Sequence, residues 1–551
     1  MHYSIVRNSH TSQFIQIQLE ISCHQMETIC LQLPSWRPGR YELTNYAQKI
    51  RGFEVLAKGS EIAWKKTVKD LWEFTATESG QYFINYEFYC NQMDAGGSWS
   101  DDQQLYLNFS NFIFEVLKRK NEKISISIEL PGDYKVATAL KKIGINKWES
   151  VSFQHLMDSP LLASAELKHF SYSVNGSTFH IWIQGEIHFQ IENLIAVFHS
   201  FSEKQIEDFG EFPAEDYHFI FLLLPYKHYH GVEHAYSSVI TFGPAHALSE
   251  KSELDQLIGV SSHELYHFWN VCRIRPKGIL PYDLSKEVYL KEGLVMEGVT
   301  TYMGDYYLLK SGYYKLEEYL LILQKQIQRE FDGFGWQNQS IVESSFDLWL
   351  DGYKGGIPEK KVSIYNRGAL LSLCMDLMLR KSGSSLAKVL KEMWEKFGKT
   401  QIGYAIGDFE KLVVSHAKEK ESMTDFFWDF VWGKNDLLPY LKSLLANINI
   451  ELLENFENNN LLHFFGIRKE ESGIVTQLHP HADAYKILMK NDRILEDDSI
   501  NTIGHQVNLK IERLGRTITV VLPKSQKMYF PKFILHAKKD NVSSLQGLIG
   551  E

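Results

Sequence analysis

Two imidazoles and a carboxylate fall within the pentad His263-Glu264-Leu265-Tyr266-His267. On a helix, His263 and His267 lie four residues apart and point to the same side, so two ring nitrogens can reach one metal ion. Glu264 sits one step round the same turn, close enough to take a proton from water held by that metal. This is the order of a zinc-hydrolysis site. A tetrahedral catalytic zinc takes three protein ligands and keeps one position for water or substrate. A carboxylate or histidine from a later element is therefore required. The stretch Val288 to Tyr302 offers Glu292 and Glu297, each followed by glycine, and periodicity does not separate them.

The elements that must position these groups can be read from texture. Around the pentad, Leu254, Leu257, Ile258, Leu265 and Phe268 recur at helical spacing, and no Pro or Gly intervenes between Val260 and Arg275. Residues 1 to about 165 alternate apolar and polar positions over short runs, which predicts an antiparallel β domain. Within it, Leu33-Pro34-Ser35-Trp36-Arg37-Pro38-Gly39-Arg40-Tyr41 carries two prolines that break any strand. Strands continue from about 166 to 250, and the texture is helical from Lys251 to about 445. After an Asn-rich connection, residues 461–523 return to short strands with one helical stretch.

Composition narrows the function classes. The chain has 551 residues, 44% apolar and 23% charged, as in a soluble globular protein of several domains. A formal charge of −10 and the lack of a Lys/Arg cluster argue against nucleic-acid binding. The longest apolar runs, such as Phe219 to Leu224, are strand-sized, so no membrane span is expected. The opening residues lack the pattern of a secretory signal, and the expected location is cytoplasmic. Cys23, Cys30, Cys90, Cys272 and Cys374 read as reduced thiols rather than a disulfide framework.

The stretch His263-Glu-Leu-Tyr-His-Phe-Trp-Asn-Val-Cys-Arg-Ile-Arg-Pro276 resembles the active-site signature of the glycyl aminopeptidase family of zinc metallopeptidases. These are thermolysin-like enzymes with a C-terminal PDZ domain. The family's later Glu-Gly-x-Thr-x-Tyr pattern is similar to Glu297 through Tyr302, so the resemblance implies Glu297 as third ligand and leaves Glu292 as the minor alternative. Cys272 stands where the family has Lys, and Leu294 where it has Trp. His230-Gly231-Val232-Glu233-His234 resembles an edge-strand element whose Glu binds the substrate's α-amino group. That implies Glu233 as amine anchor, with Gly231 allowing close backbone approach; His230 replaces the family's first Gly. Val362-Ser-Ile-Tyr365-Asn-Arg-Gly-Ala-Leu370 looks like the element that supplies the oxyanion donor, which implies that role for Tyr365, with Arg367 in place of Lys.

The resemblance covers nearly all the chain and implies a multidomain α+β fold. Residues 1–165 would be an N-terminal β-sandwich-like domain, in which Trp36 and Pro38 are structural. Residues 166–445 would be a thermolysin-like, mainly helical catalytic domain, closed by Phe426 to Pro439. Residues 455–525 would be a PDZ-like domain and 526–551 a C-terminal tail. Phe464-Phe465-Gly466-Ile467 is similar to a PDZ carboxylate loop, although Asn491 replaces the usual Gly before Asp492 and Pro480 is displaced. The implied activity is removal of small N-terminal residues, Gly or Ala, from peptides with a free N-terminus, using one Zn2+ per chain. A C-terminal peptide in the PDZ-like groove is the second implied partner. Two rivals stand beside it: an endopeptidase of thermolysin type, and a PDZ-bearing binding protein with a vestigial zinc site.

Overall fold

The computed structural model describes residues 1–457, 459–497, 506–538 and 541–549. The N-terminal domain is built on an eight-stranded sheet. The strand Phe14–Cys23 shows why: Ile15, Ile17, Leu19, Ile21 and Cys23 are all buried while alternate positions face outward. It pairs antiparallel with His2–Arg7 on one side and Gly80–Tyr89 on the other. The expected antiparallel pattern holds with one exception, a parallel pairing of His2–Arg7 with Ile124–Ile128. Two four-stranded sheets complete the domain.

The region that follows opens with a five-stranded sheet of β1 (Lys168–Val174), β2 (Ser177–Gln184), β3 (Asp216–Leu223), β4 (His228–His234) and β5 (Ser237–Gly243), in the order β1-β2-β3-β5-β4. Helix α1 (Ile191–Phe209) crosses from β2 to the parallel β3. β3 is buried along almost its whole length because it lies inside the sheet, which explains its unbroken apolar run. β4 is the edge strand, antiparallel to β5, with Gly231 opposite Ile240 and Glu233 opposite Ser238.

The helical region supplies α2 (Lys251–Tyr266), α3 (Thr300–Lys310), α4 (Leu316–Asp332) and α5 (Asn366–Arg380). α2 ends at Tyr266, well before Arg275, although no Pro or Gly stops it. Side-chain bonds and a left-handed residue follow its end. Arg273 Nη1 donates to Phe268 O at 2.6 Å and Ala235 O at 3.0 Å, and Val271 takes φ 91°, a left-handed value unusual for a β-branched residue. One apolar core runs through the N-terminal domain and the helical region without interruption. All five cysteines are unpaired.

Beyond Ile450–Asn455, short strands and helices gather around a smaller core that includes Phe465, Ile467, Val475, Leu509 and Ile511. Asn491, at φ 74°, adopts there the left-handed conformation that Asn tolerates best after Gly. Residues 458 and 498–505 of the 455–525 segment lie outside the described residues. The segment read as a tail contains a strand, Lys532–Ala537, that pairs with Ile450–Asn455, and a helix, Asn541–Ile549. The backbone N–H groups of Phe533 and Leu535 donate to Gln328 and Gln324 of α4 at 2.9 and 3.1 Å. Residues 539–540 and 550–551 of that tail lie outside the described residues. Among the described residues no helix is long and apolar enough to cross a membrane.

Candidate active site

The structure brings His263, His267 and Glu297 together and leaves Glu292 elsewhere. The two Nε2 atoms are 3.0 Å apart, and Glu297 Oε2 lies 3.7 Å from His263 Nε2 and 3.5 Å from His267 Nε2. Bonds of about 2.0–2.1 Å to one tetrahedral zinc would space such donors by roughly 3.3 Å. The donor set therefore fits a single zinc. Glu292 is buried, and its carboxylate instead accepts backbone N–H groups of Ile406 at 3.1 Å and Lys291 at 2.8 Å.

The supporting contacts are specific. His267 Nδ1 lies 2.9 Å from Asn270 O, an acceptor, so Nδ1 carries a proton and Nε2 is the nitrogen that faces the cluster. The same Asn270, fully buried, donates from Nδ2 to Val295 O at 2.7 Å and Thr300 Oγ1 at 2.9 Å. It thereby ties the end of α2 to the segment bearing Glu297. That segment, Leu294–Val299, is a π-helical turn leading directly into α3. Such turns are rare in general and frequent at functional sites.

Glu264 is buried, and its Oε2 has no hydrogen-bond partner among the described residues. A buried carboxylate oxygen left unpaired is costly, so a water or ligand proton belongs there. Burial and the neighbouring Glu233 and Glu297 charges push the Glu264 carboxyl well above the usual range, against the pull of His267. β4 passes directly over it. A Cβ on Gly231 would stand 2.9 Å from Glu264 Cδ and 2.8 Å from Val260 Cγ2, so only glycine allows this approach.

Glu233, two residues along β4, is also buried and has no Lys or Arg partner within ion-pair distance among the described residues. Its carboxylate, Glu264 and His267 offer donor atoms within 4.8 Å of one another. Burial raises the Glu233 carboxyl against the pull of His267 and, more weakly, Arg37, and the Glu297 charge adds to the rise. Tyr365 precedes α5 and is half-buried. Its hydroxyl is raised by burial and by the charges of Glu297 and Glu233, with Tyr353 and Tyr41 close by. Arg367 turns away from the site: Nη1 pairs with Glu330 Oε1 at 3.0 Å and Nη2 donates to Asn435 O at 3.2 Å.

The family model described as the Peptidase M61 N-terminal domain matches residues 2–165, and that of the M61 glycyl aminopeptidase matches residues 256–371. Together they span about half of the 551 residues. The chain belongs to the M61 glycyl aminopeptidase family. An aminopeptidase N family protein from Idiomarina loihiensis has a similar structure, with a TM-score of 0.89 at 24% identity over 99% of both chains. An M1 zinc metallopeptidase from Deinococcus radiodurans compares at a TM-score of 0.49 and 13% identity, covering 79% of this chain and 93% of that one. No curated protein matches the sequence.

Within this M61 chain, the matched segment 256–371 contains the pentad, Glu297 and Tyr365, while Gly231 and Glu233 lie outside both matches. Other residues at the site were not singled out by sequence. Tyr353 accepts the Tyr41 backbone N–H at 3.3 Å, and Tyr41 OH lies 3.8 Å from Met296 Sδ, next to Glu297. Gly39 packs on Glu233. The available signal was the Pro-Gly turn inside residues 33–41, a surface-turn pattern that carries no address for the site it meets.

Proposed function

We propose that this M61 protein is a zinc-dependent aminopeptidase that removes one residue from the free N-terminus of a peptide, with one zinc per chain held by His263, His267 and Glu297. The metal, when bound, supplies a Lewis acid that polarises the scissile carbonyl and makes water a nucleophile at neutral pH. Glu264 Oε2 takes the proton of the attacking water and delivers it to the leaving amine. Its missing hydrogen-bond partner and its pKa raised by burial support that assignment, because a carboxylate whose pKa is raised is the stronger base toward the water proton. Tyr365 donates its hydroxyl to the oxygen that gains charge at the carbonyl, a contact of the kind that supplies about 3 kcal/mol.

The observation that carries the exopeptidase reading is the buried Glu233 carboxylate without a Lys or Arg partner, beside the metal ligands. Beside His267, which zinc would hold neutral as a ligand, a substrate α-ammonium would give this buried carboxylate a cation with charge-assisted hydrogen bonds. The family resemblance adds a preference for Gly or Ala at the first position. The same reading takes residues 166–445 as a thermolysin-like catalytic domain working in the cytoplasm. It takes residues 455–525 as a PDZ-like unit that receives a peptide C-terminus by strand addition.

The test compares free and N-acetylated peptides with wild type and Glu233→Ala. Wild type should cleave only free-amine substrates, and Glu233→Ala should lose about 10²-fold in kcat/KM on them while keeping its zinc. Equal cleavage of acetylated peptides by wild type would favour an endopeptidase and sink the proposal.

A further inference from the structure

Residues 33–41 end in the turn Arg37-Pro38-Gly39-Arg40. Arg40 N–H donates to Arg37 O at 3.3 Å, Pro38 takes the second position, and Gly39 takes the third at φ 76°. That is the pattern of a type II turn. The turn is fastened from behind. Ser35 N–H donates to Leu284 O at 2.7 Å and Trp36 Nε1 to Asp283 O at 3.0 Å, in the loop that follows the metal-binding helix. The buried Arg37 braces it further: Nη1 donates to Pro38 O at 3.0 Å and Nη2 lies 3.4 Å from His230 Nε2. Its guanidinium fills the space where a Gly96 side chain would be. On the far side, the Arg40 guanidinium lies 4.9 Å over the Tyr353 ring.

The tip of the turn meets Glu233. A Cβ on Gly39 would stand 2.6 Å from Oε2, 2.8 Å from Oε1 and 3.0 Å from Cδ, so the whole carboxyl group rests on this glycine. Glu233 therefore has His267 and Glu264 on one side and the backbone of the N-terminal domain on the other. His230, which replaces a family glycine, holds the brace through Arg37.

We propose that the Arg37–Arg40 turn is the blind end of the substrate site and a specificity-determining element. Gly39 holds the Glu233 carboxylate in the orientation that receives the α-ammonium, and the turn occupies the path a chain extended on the amino side would need. The inference rests on the aminopeptidase reading. It assigns amine selectivity to two domains rather than one: Glu233 supplies the charge, and the turn fixes its place and closes the space beyond it.

The test uses the full chain with Gly39→Ala and Gly39→Asn, assayed on glycine p-nitroanilide and its N-acetyl form. Asn tolerates a left-handed φ, so the pair separates backbone strain from the added Cβ. Both variants should lose about 10- to 100-fold in kcat/KM on the free amine, carried largely by KM, because the displaced carboxylate no longer meets the ammonium. Zinc content should stay at the wild-type level, which a folding defect would not leave intact. A wild type that requires a free amine, with both variants within about twofold of it, overturns this inference alone. A wild type indifferent to acetylation overturns the aminopeptidase reading, and the inference with it.

Discussion

Replacing Gly231 with alanine puts a methyl group against the residue assigned to move the proton. The new Cβ would lie 2.9 Å from Glu264 Cδ, nearer still to Oε1, and 2.8 Å from Val260 Cγ2. Nonbonded carbons settle at about 3.5–4.0 Å, so Glu264 must retreat by roughly 0.6–1 Å. The strand cannot easily yield instead, because Gly231 is held in register opposite Ile240 and β4 pairs with β5 over seven residues. Gly231 does not have a left-handed φ, so alanine suits the backbone and the effect is confined to the contact. A misplacement of about 1 Å at a reacting group costs on the order of 10²-fold in rate. Overpacking adds about 1–3 kcal/mol of instability. Gly231→Ala should therefore lose about 10²-fold in kcat on a free-amine chromogenic substrate, with zinc retained on metal analysis. A kcat within about threefold of wild type would refute the close packing of β4 on Glu264 as a catalytic constraint. Loss of zinc along with activity would trace the damage to the metal ligands instead.

Glu264→Gln should keep its zinc and lose about 10²- to 10⁴-fold in kcat, the range for removing a general base; retained turnover would remove Glu264 from that role. The metal-free chain should show a definite proton linkage. Burial acts to lower His267, but Glu297, Glu233 and Glu264 outweigh it and push the imidazole up to about 10. Burial acts to raise Glu297, but His267 and His263 hold it down at about 2. The His267 contribution to stability is thus complete below its ordinary 6.5 and lost as pH rises through about 10. That of Glu297 is complete above 4.5 and lost as pH falls through about 2. After chelation, this pair should stabilise the chain most between pH 4.5 and 6.5, read by thermal melting across pH. At pH 7, zinc uptake should release about one proton, because His267 Nε2 must give its proton up to become a ligand. Calorimetry in buffers of different ionisation heat measures this, and zero release would show that His267 is neutral in the metal-free chain.

The parts of the site that sequence could show are local, and those it could not are products of packing. His263 and His267 are one helical turn apart, so their shared side follows from spacing alone. Glu292 and Glu297 could not be separated by period because Leu294–Val299 is a π turn, where the extra residue shifts the phase that helical spacing assumes. Only the family pattern pointed to Glu297. The N-terminal β domain was legible in its alternation, and the pairing of Lys532–Ala537 with Ile450–Asn455 was not, since nothing in a short strand names a distant partner. The turn at Gly39 is the most instructive case. Its prolines marked a break in the chain, and Trp36 fits the structural role expected of it, packed at 5.4 Å against Trp349. Yet the same segment continues into contact with Glu233, a residue of another sheet. The three metal-ligand candidates all lie between His263 and Glu297, whereas the amine site proposed at Glu233 would draw on both β4 and the turn of the N-terminal domain that packs on it. On the proposed reading, metal binding and substrate selection depend on different parts of the fold, and damage to the docking of the β domain should reach selectivity before it reaches the metal.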